Sequence, residues 1–234
     1  MYDAAVFIGR FQPFHNGHLS IIKRGLELAK EVIVVVGSAS AARNIRNPFT
    51  FEERKAMIEA VFPEETQFVY RGNGRRISIV GVPDYPYDEN KWVASVQTAV
   101  MGALNFSPDS LKITLIGHSK DASSYYLKMF PFWSSEAVSN YHNISATDIR
   151  EIIFSGRKNH IGMNQIWPND FSLDQLPQPV ENLLYCKAGL IYNNGSITPE
   201  WKILFEEYKM VRSYKDSWKV APFPPTFVTV DAVV

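Results

Sequence analysis

Gly9-Arg10-Phe11-Gln12-Pro13-Phe14-His15-Asn16-Gly17-His18 joins an apolar run, Ala4-Ala5-Val6-Phe7-Ile8, to a segment in which Leu19, Ile22, Leu26 and Ala29 recur at helical spacing. The run suits a buried strand, and the repeat predicts a helix over 19–30. The turn between them therefore ends at a helix amino terminus, where the first backbone N–H groups lack intrahelical partners and the macrodipole is positive. An anion is favoured there before any side chain contributes. Gly17 leaves room for a phosphate to approach the backbone, and His15 and His18, three apart, reach the same side of the turn with ring N–H donors. Pro13 cannot donate a ladder bond and belongs to the loop. Zinc is the competing reading of the two histidines, but it needs further ligands, and the only cysteine is Cys186.

The turn resembles the HxGH signature of the nucleotidylyltransferase superfamily, whose members move a nucleoside monophosphate from ATP or CTP onto a phosphate or an alcohol. The resemblance implies that His15 and His18 bind the triphosphate and steady the pentacoordinate transition state, with Gly9, Arg10, Phe11 and Gly17 beside the nucleotide. That family's second signature, ISxTxxR, matches at Ile144-Ser145-Ala146-Thr147-Asp148-Ile149-Arg150. Ser145 or Thr147 can cap a helix beginning near Thr147, and Arg150 sits one turn in with a planar fork for phosphate. Read alone, Ser-Ala-Thr-Asp is also an ordinary capping segment. Paired with the histidine turn it is expected to be the opposite wall of the site, and the resemblance then implies that Arg150 is catalytic and that Ile144, Ser145 and Thr147 lie on the ATP side.

Length and composition suit an enzyme. The 234 residues, 46% hydrophobic, are enough for a sizeable core, in one large domain or a domain with an appendage. Twenty-four acidic and 24 basic residues give no global field to attract nucleic acid or an anionic membrane, so any positive potential is local. One cysteine leaves no disulfide framework within the chain and fits a reducing compartment. With no run of 18 apolar residues and no apolar leader, neither a membrane span nor a secretion signal is expected, and the location is expected to be cytoplasmic.

The element order is α/β. Residues 31–37 form a β-branched run ending in glycine, as a buried parallel strand does. Thr50 with Glu53 three residues later makes a capping box for a helix over 50–62. Residues 68–70 and 77–82 read as strands joined through Arg71-Gly72-Asn73-Gly74, residues 92–104 as a helix, 111–117 as a strand and 124–130 as a short helix. The fold expected is a Rossmann-like doubly wound parallel sheet with ligands at the carboxyl ends of its strands and a C-terminal helical extension.

The loops at those ends narrow the resemblance. Gly37-Ser38-Ala39, then Ile45-Arg46-Asn47-Pro48-Phe49-Thr50 and Glu53-Arg54, are similar to the nicotinamide mononucleotide (NMN) adenylyltransferases of the archaeal and bifunctional bacterial type. The resemblance implies an NMN side made of Ser38, Arg46, Asp84, Asn90 and Trp92. Arg43 is a weaker candidate, and Arg54, inside a helix, is equally a structural partner. Trp92 begins a helix after a loop rich in aspartate and aromatics, and its indole suits a cationic pyridinium ring through stacking and cation–π attraction of about 0.5 to 2 kcal/mol. A tryptophan at a helix start is otherwise a core residue. The stretch Ile116-Gly117-His118-Ser119-Lys120-Asp121 also resembles the bifunctional subfamily, which makes Lys120 the choice for a β- or γ-phosphate contact.

Residues 183–190 and 199–208 read as helical cover. Trp218 to Pro225 is a proline-rich linker, followed by the strand-like Thr226 to Val234, where the bifunctional subfamily begins a Nudix hydrolase domain. The expected division is a nucleotidylyltransferase domain over 1–190, a helical extension over 191–217, and a linker with the first strand of a cut Nudix-like domain over 218–234. No Nudix helix with its paired glutamates is present, so no hydrolase activity is expected.

The resemblance implies transfer of AMP from ATP to NMN, giving NAD and pyrophosphate. It further implies Mg²⁺ carried mainly on the ATP phosphates with no protein metal site, a homo-oligomer, and a Nudix hydrolase domain as fusion partner. Nicotinate mononucleotide or another phosphate acceptor is the alternative within the superfamily, and a non-catalytic nucleotide-sensing module is the alternative outside it.

Overall fold

A computed structural model of the chain describes residues 1–67, 75–104, 111–117, 129–138, 144–155, 175–185, 189–194 and 196–220. The strand-like segment 68–70, its connection 71–74, most of the short helix 124–130 and the C-terminal strand 226–234 lie outside them. Five parallel strands form the central sheet: β1 Tyr2–Gly9, β2 Ala29–Val36, β3 Ile77–Gly81, β4 Ile113–Gly117 and β5 Ser134–Ala137. Their order is β3-β2-β1-β4-β5, so the winding reverses between β1 and β4. In an open α/β sheet that reversal opens a crevice outside the strands' carboxyl ends, and the histidine turn leaves β1 at this point.

The alternation of side chains along β1 and β2 divides the core. Ala5 and Phe7 of β1, with Val34 and Val36 of β2, face one layer. Val6, Ile8, Ile33 and Val35 face the other, which α4 (Glu89–Ala103) covers with Val96 and Val100. The first layer gathers α1 (Asn16–Leu28), α2 (Phe51–Val61), α5 (Ala146–Ser155), α6 (Gln178–Tyr185) and α7 (Pro199–Ser217); α3 (Pro63–Thr66) is a single turn. Both faces of the central strands are therefore dry, which is why they read as unbroken apolar runs. A two-stranded antiparallel ribbon, β6 Tyr192–Asn193 with β7 Ser196–Ile197, leads into α7.

Several boundaries differ from the sequence-based expectation for local reasons. Helix α1 starts at Asn16 and not Leu19, because His15 caps it, and it ends at Leu28, because Ala29 is already extended and pairs with Tyr2. Helix α4 starts at Glu89, with the Asp88 carboxylate accepting the Lys91 N–H at 2.9 Å, so Trp92 lies within its first turn. Helix α6 covers 178–185, starting earlier than the 183–190 read from the sequence; residues 186–188 lie outside the described residues, and the Leu190 N–H donates to Leu183 O at 2.8 Å. The edge strand β5 was not expected, since Ser-Ser-Glu-Ala is polar and mostly exposed. Among the described residues no helix is long and apolar enough to cross a membrane.

Residues 191–217 contribute to the same core as the sheet. Trp201 is 1% exposed, lies 5.1 Å from the Phe49 ring and stacks on Phe154 of α5 at 5.7 Å; Phe154 also stacks on Tyr208. Trp201→Ala is expected to lower stability by about 3–5 kcal/mol, as for other buried tryptophans cut to alanine, read as a lower urea midpoint at unchanged slope.

Candidate active site

Two imidazoles cap helix α1. The His15 Nδ1 accepts the Gly17 N–H at 3.1 Å, and the His18 Nδ1 accepts the His15 N–H at 3.3 Å, a capping box built from histidines where serine and glutamate are usual. Because each Nδ1 is an acceptor, the proton of a neutral ring sits on Nε2, which is then a donor. The rings stack with centroids 3.6 Å apart, and the Phe11 ring packs edge-on to His18 at 4.8 Å. His15 is buried and His18 half-buried. A Cβ on Gly17 would lie 2.9 Å from the His15 ring, so glycine here admits the capping imidazole. Gly9 has a similar use: a Cβ there would lie 2.9 Å from the Phe11 ring.

Helix α5 stands beside this turn. Ser145 Oγ accepts the Thr147 N–H at 3.3 Å, so of the two candidate caps the serine acts, and the helix starts at Ala146. The Arg150 guanidinium donates to Gln12 O at 2.8 Å and to Thr147 Oγ1 at 3.1 Å, which fixes its plane and ties the second signature to the first. Ile144 Cβ lies 4.0 Å from the Cβ position of Gly17. Burial lowers the Arg150 pKa, and the like charges of Arg10 and Arg46 lower it further, against Glu151. Arg10, Arg46, Thr147 and Arg150 line one cleft of about 640 Å³. Of the predicted residues these four meet there; Lys120 lies outside the described residues.

The residues read as the NMN side sit around the ends of β2, β3 and α4. Ser38 is buried, and its Oγ donates to Asp84 Oδ1 at 3.0 Å. Asn90 is exposed in the first turn of α4. Trp92 is half-buried and meets Phe130 edge-on at 6.1 Å, so it touches the core with part of its ring. None of these four lines the 640 Å³ cleft. Phe11 and Ser38 hold left-handed backbone, φ 53° and 50°. For residues with a side chain this costs on the order of 1–3 kcal/mol each and persists only where the surroundings impose it.

What imposes it includes a residue whose role the sequence left open. Arg54 is 1% exposed and donates to four carbonyls: Arg10 O at 2.9 Å, Gly37 O at 2.7 Å, Ser38 O at 3.1 Å and Thr50 O at 3.0 Å. Burial pushes its pKa down to about 10, with Asp84 and Glu53 acting against the shift, so it stays charged at neutral pH. Gln12, 2% exposed, was also passed over: its amide donates to Phe49 O at 2.7 Å and accepts the Phe49 N–H at 2.9 Å. Arg43 is engaged elsewhere, in a bidentate pair with Glu53 at 2.6 and 2.8 Å. The cleft's far bank, Tyr208, Val211, Arg212, Lys215, Asp216 and Lys219 of the C-terminal segment, has no motif that would have marked it. Among the described residues no group of three or more His, Cys, Asp or Glu side chains is placed to hold a metal ion.

The cytidylyltransferase-like family matches residues 6–152. A nicotinamide/nicotinic acid mononucleotide adenylyltransferase of Acinetobacter baylyi is 44% identical over 157 residues, 67% of this chain and 78% of that protein. A nicotinamide-nucleotide adenylyltransferase of Ignicoccus hospitalis is 41% identical over 96 residues, 41% of this chain and 53% of that one. In three dimensions the chain is similar to a bifunctional NMN adenylyltransferase/ADP ribose pyrophosphatase from Francisella tularensis, with a TM-score of 0.74 at 33% identity, covering 97% of this chain and 59% of that one. The Francisella protein is also known complexed with AMP and a manganese ion, and that structure matches with a TM-score of 0.72.

Removing the Arg54 fork leaves buried carbonyls from three segments without their donor. Arg54→Ala is expected to cost about 3–5 kcal/mol in chemical denaturation. Arg54→Lys should recover only part of the loss, because an ammonium cannot span the same four acceptors.

Proposed function

The chain belongs to the cytidylyltransferase-like family, and on that premise we propose that it transfers the adenylyl group of ATP to nicotinamide mononucleotide, giving NAD and pyrophosphate. The observation that carries the proposal is the pair of stacked imidazoles, each fixed through Nδ1 to the backbone at a helix amino terminus, with Arg150 bonded across to the same turn. The named activities of the Acinetobacter and Ignicoccus relatives support it. The chain spans 59% of the Francisella protein, so that protein's second activity is not part of the proposal.

In this reaction a 5′-phosphate oxygen of the mononucleotide bonds to the α-phosphorus of ATP, in line with the departing bridge oxygen. The bond to the β-phosphate side breaks, and pyrophosphate leaves with the electron pair. A phosphate dianion at neutral pH has no proton to lose, so neither histidine acts as a base. The protein's work is to align two anions and neutralise their charge. His15 and His18 offer Nε2 donors to the phosphates, and Arg150, already held in plane, offers the rest of its fork. Gly9, Arg10, Phe11, Gly17, Ile144, Ser145 and Thr147 form the ATP side in this reading, together with Lys120. Ser38, Arg46, Asp84, Asn90 and Trp92 form the NMN side. A divalent metal, Mg²⁺ in this proposal, would be carried on the phosphate oxygens of ATP and would supply charge neutralisation there. The division into 1–190, 191–217 and 218–234 belongs to the same reading.

The deciding assay is formation of NAD and pyrophosphate from ATP and NMN, run beside nicotinate mononucleotide; nucleotide binding without turnover would leave a sensing module. His18→Ala is expected to lower kcat by on the order of 10²-fold or more, as for loss of one preorganised donor to developing charge. Near wild-type turnover in that variant would remove the histidine from the mechanism. Trp92→Ala is expected to raise KM for NMN and leave KM for ATP nearly unchanged, whereas equal losses on both substrates would make Trp92 a packing residue.

A further inference from the structure

The 640 Å³ cleft has two banks. One carries Arg10, Arg46 and Arg150; the other is the end of α7 and the turn after it, with Arg212, Lys215 and Lys219. Six cations thus face two carboxylates, Glu151 and Asp216, in a chain whose acidic and basic residues balance. Both carboxylates are engaged within the second bank. Glu151 accepts from Tyr208 OH at 2.6 Å and from Arg212 Nη1 at 3.1 Å, and Asp216 pairs with Lys219 at 2.7 Å.

Basic residues near a helix carboxyl terminus have an ordinary explanation, since the partial negative charge of that end favours them. That explanation does not require them to face three more cations. Arg10 and Arg46 already act on Arg150 by like-charge repulsion, and the ion pairs of Glu151 and Asp216 offset only two of the six cations, so the cleft keeps an excess of positive charge. A polyanion bound between the banks offsets that excess. The second bank is also fixed in place: Trp201, Leu204 and Tyr208 anchor α7 in the core, and the Tyr208 ring stacks on Phe154 of the helix that carries Arg150.

We propose that the end of α7 forms a polyphosphate subsite, in which Arg212, Lys215 and Lys219 take the β- and γ-phosphates of the triphosphate and hold pyrophosphate as it leaves. The inference rests on the adenylyl-transfer reading, because that reaction expels a polyanion. The histidine turn and Arg150 act on the α-phosphate, where bonds change, while the second bank neutralises the charge that collects on the leaving group. It therefore discriminates by phosphate count: ligands with β- and γ-phosphates gain from it, and AMP does not.

Calorimetric titration of inorganic pyrophosphate, ATP, AMP and NMN compares the wild type with the double variant Lys215→Gln/Lys219→Gln. Lys209→Gln is the control; Lys209 is exposed, pairs with Glu206 and lies off the cleft. The double variant is expected to lose about tenfold in affinity for pyrophosphate and ATP, the size of a few solvent-screened charge contacts, and the loss should shrink as salt is raised. AMP and NMN affinity and Tm should stay at wild-type values, as should all four affinities in the control. Unchanged pyrophosphate affinity in the double variant, or equal weakening of AMP and NMN, overturns the subsite. Failure of the wild type to form NAD from ATP and NMN instead overturns the adenylyl-transfer reading, so the two failures are told apart.

Discussion

The Arg54 guanidinium joins the carboxyl end of β1, the carboxyl end of β2 and the cap of α2. Strand ends at a switch point present carbonyls with no ladder partner, and backbone there must be either hydrated or bonded. A buried planar cation with a fork of donors meets four such acceptors with one side chain. Its desolvation opposes the charge, as its lowered pKa records, but the carbonyl dipoles and the field of Asp84 and Glu53 hold it. The left-handed conformation of Ser38 is kept partly by this clamp, and Arg10 starts from the same anchored carbonyl level. The position of Arg10 on the first bank thus depends on a residue that does not face the cleft.

The histidine turn shows how one set of atoms meets two demands. A helix amino terminus needs acceptors for its orphan N–H groups, and phosphate chemistry needs donors. An aspartate cap satisfies the first and offers nothing to the second. Imidazole has one nitrogen for each: Nδ1 closes the cap, which leaves the proton on Nε2. The cap therefore fixes both the tautomer and the ring direction, and Gly17 is required so that the ring can lie over the turn. Folding thus sets the protonation pattern of the neutral rings.

What the sequence made legible is what local physics writes into it. The apolar run of β1, the β-branched run of β2, the Thr50–Glu53 capping box and the two signatures could be read because each depends on neighbours a few residues apart. Strand β5 was not legible, since its pairing with β4 is set by the sheet and its own side chains are polar. Arg54 was ambiguous because its partners lie 16, 17 and 44 residues away as well as one turn back. Gln12 was silent for the same reason, its partner being Phe49. Trp92 keeps both of its readings: it sits in the first turn of α4 and packs against Phe130.

Helix α7 carries the argument about charge furthest. Its sequence reads as an amphipathic covering helix, and its buried face does cover the core through Trp201, Leu204 and Tyr208. The packing of that face against α5 fixes where the polar end falls, beside Arg150 and Arg46. A neutral chain can hold a strongly positive cleft only if cations distant in sequence are brought together, here from the β1 turn, the loop before α2, α5 and α7. Hydrophobic burial of Trp201 and its neighbours supplies the free energy that holds them in place. The apolar face of a covering helix is in this way the physical cause of the cationic bank at its other end.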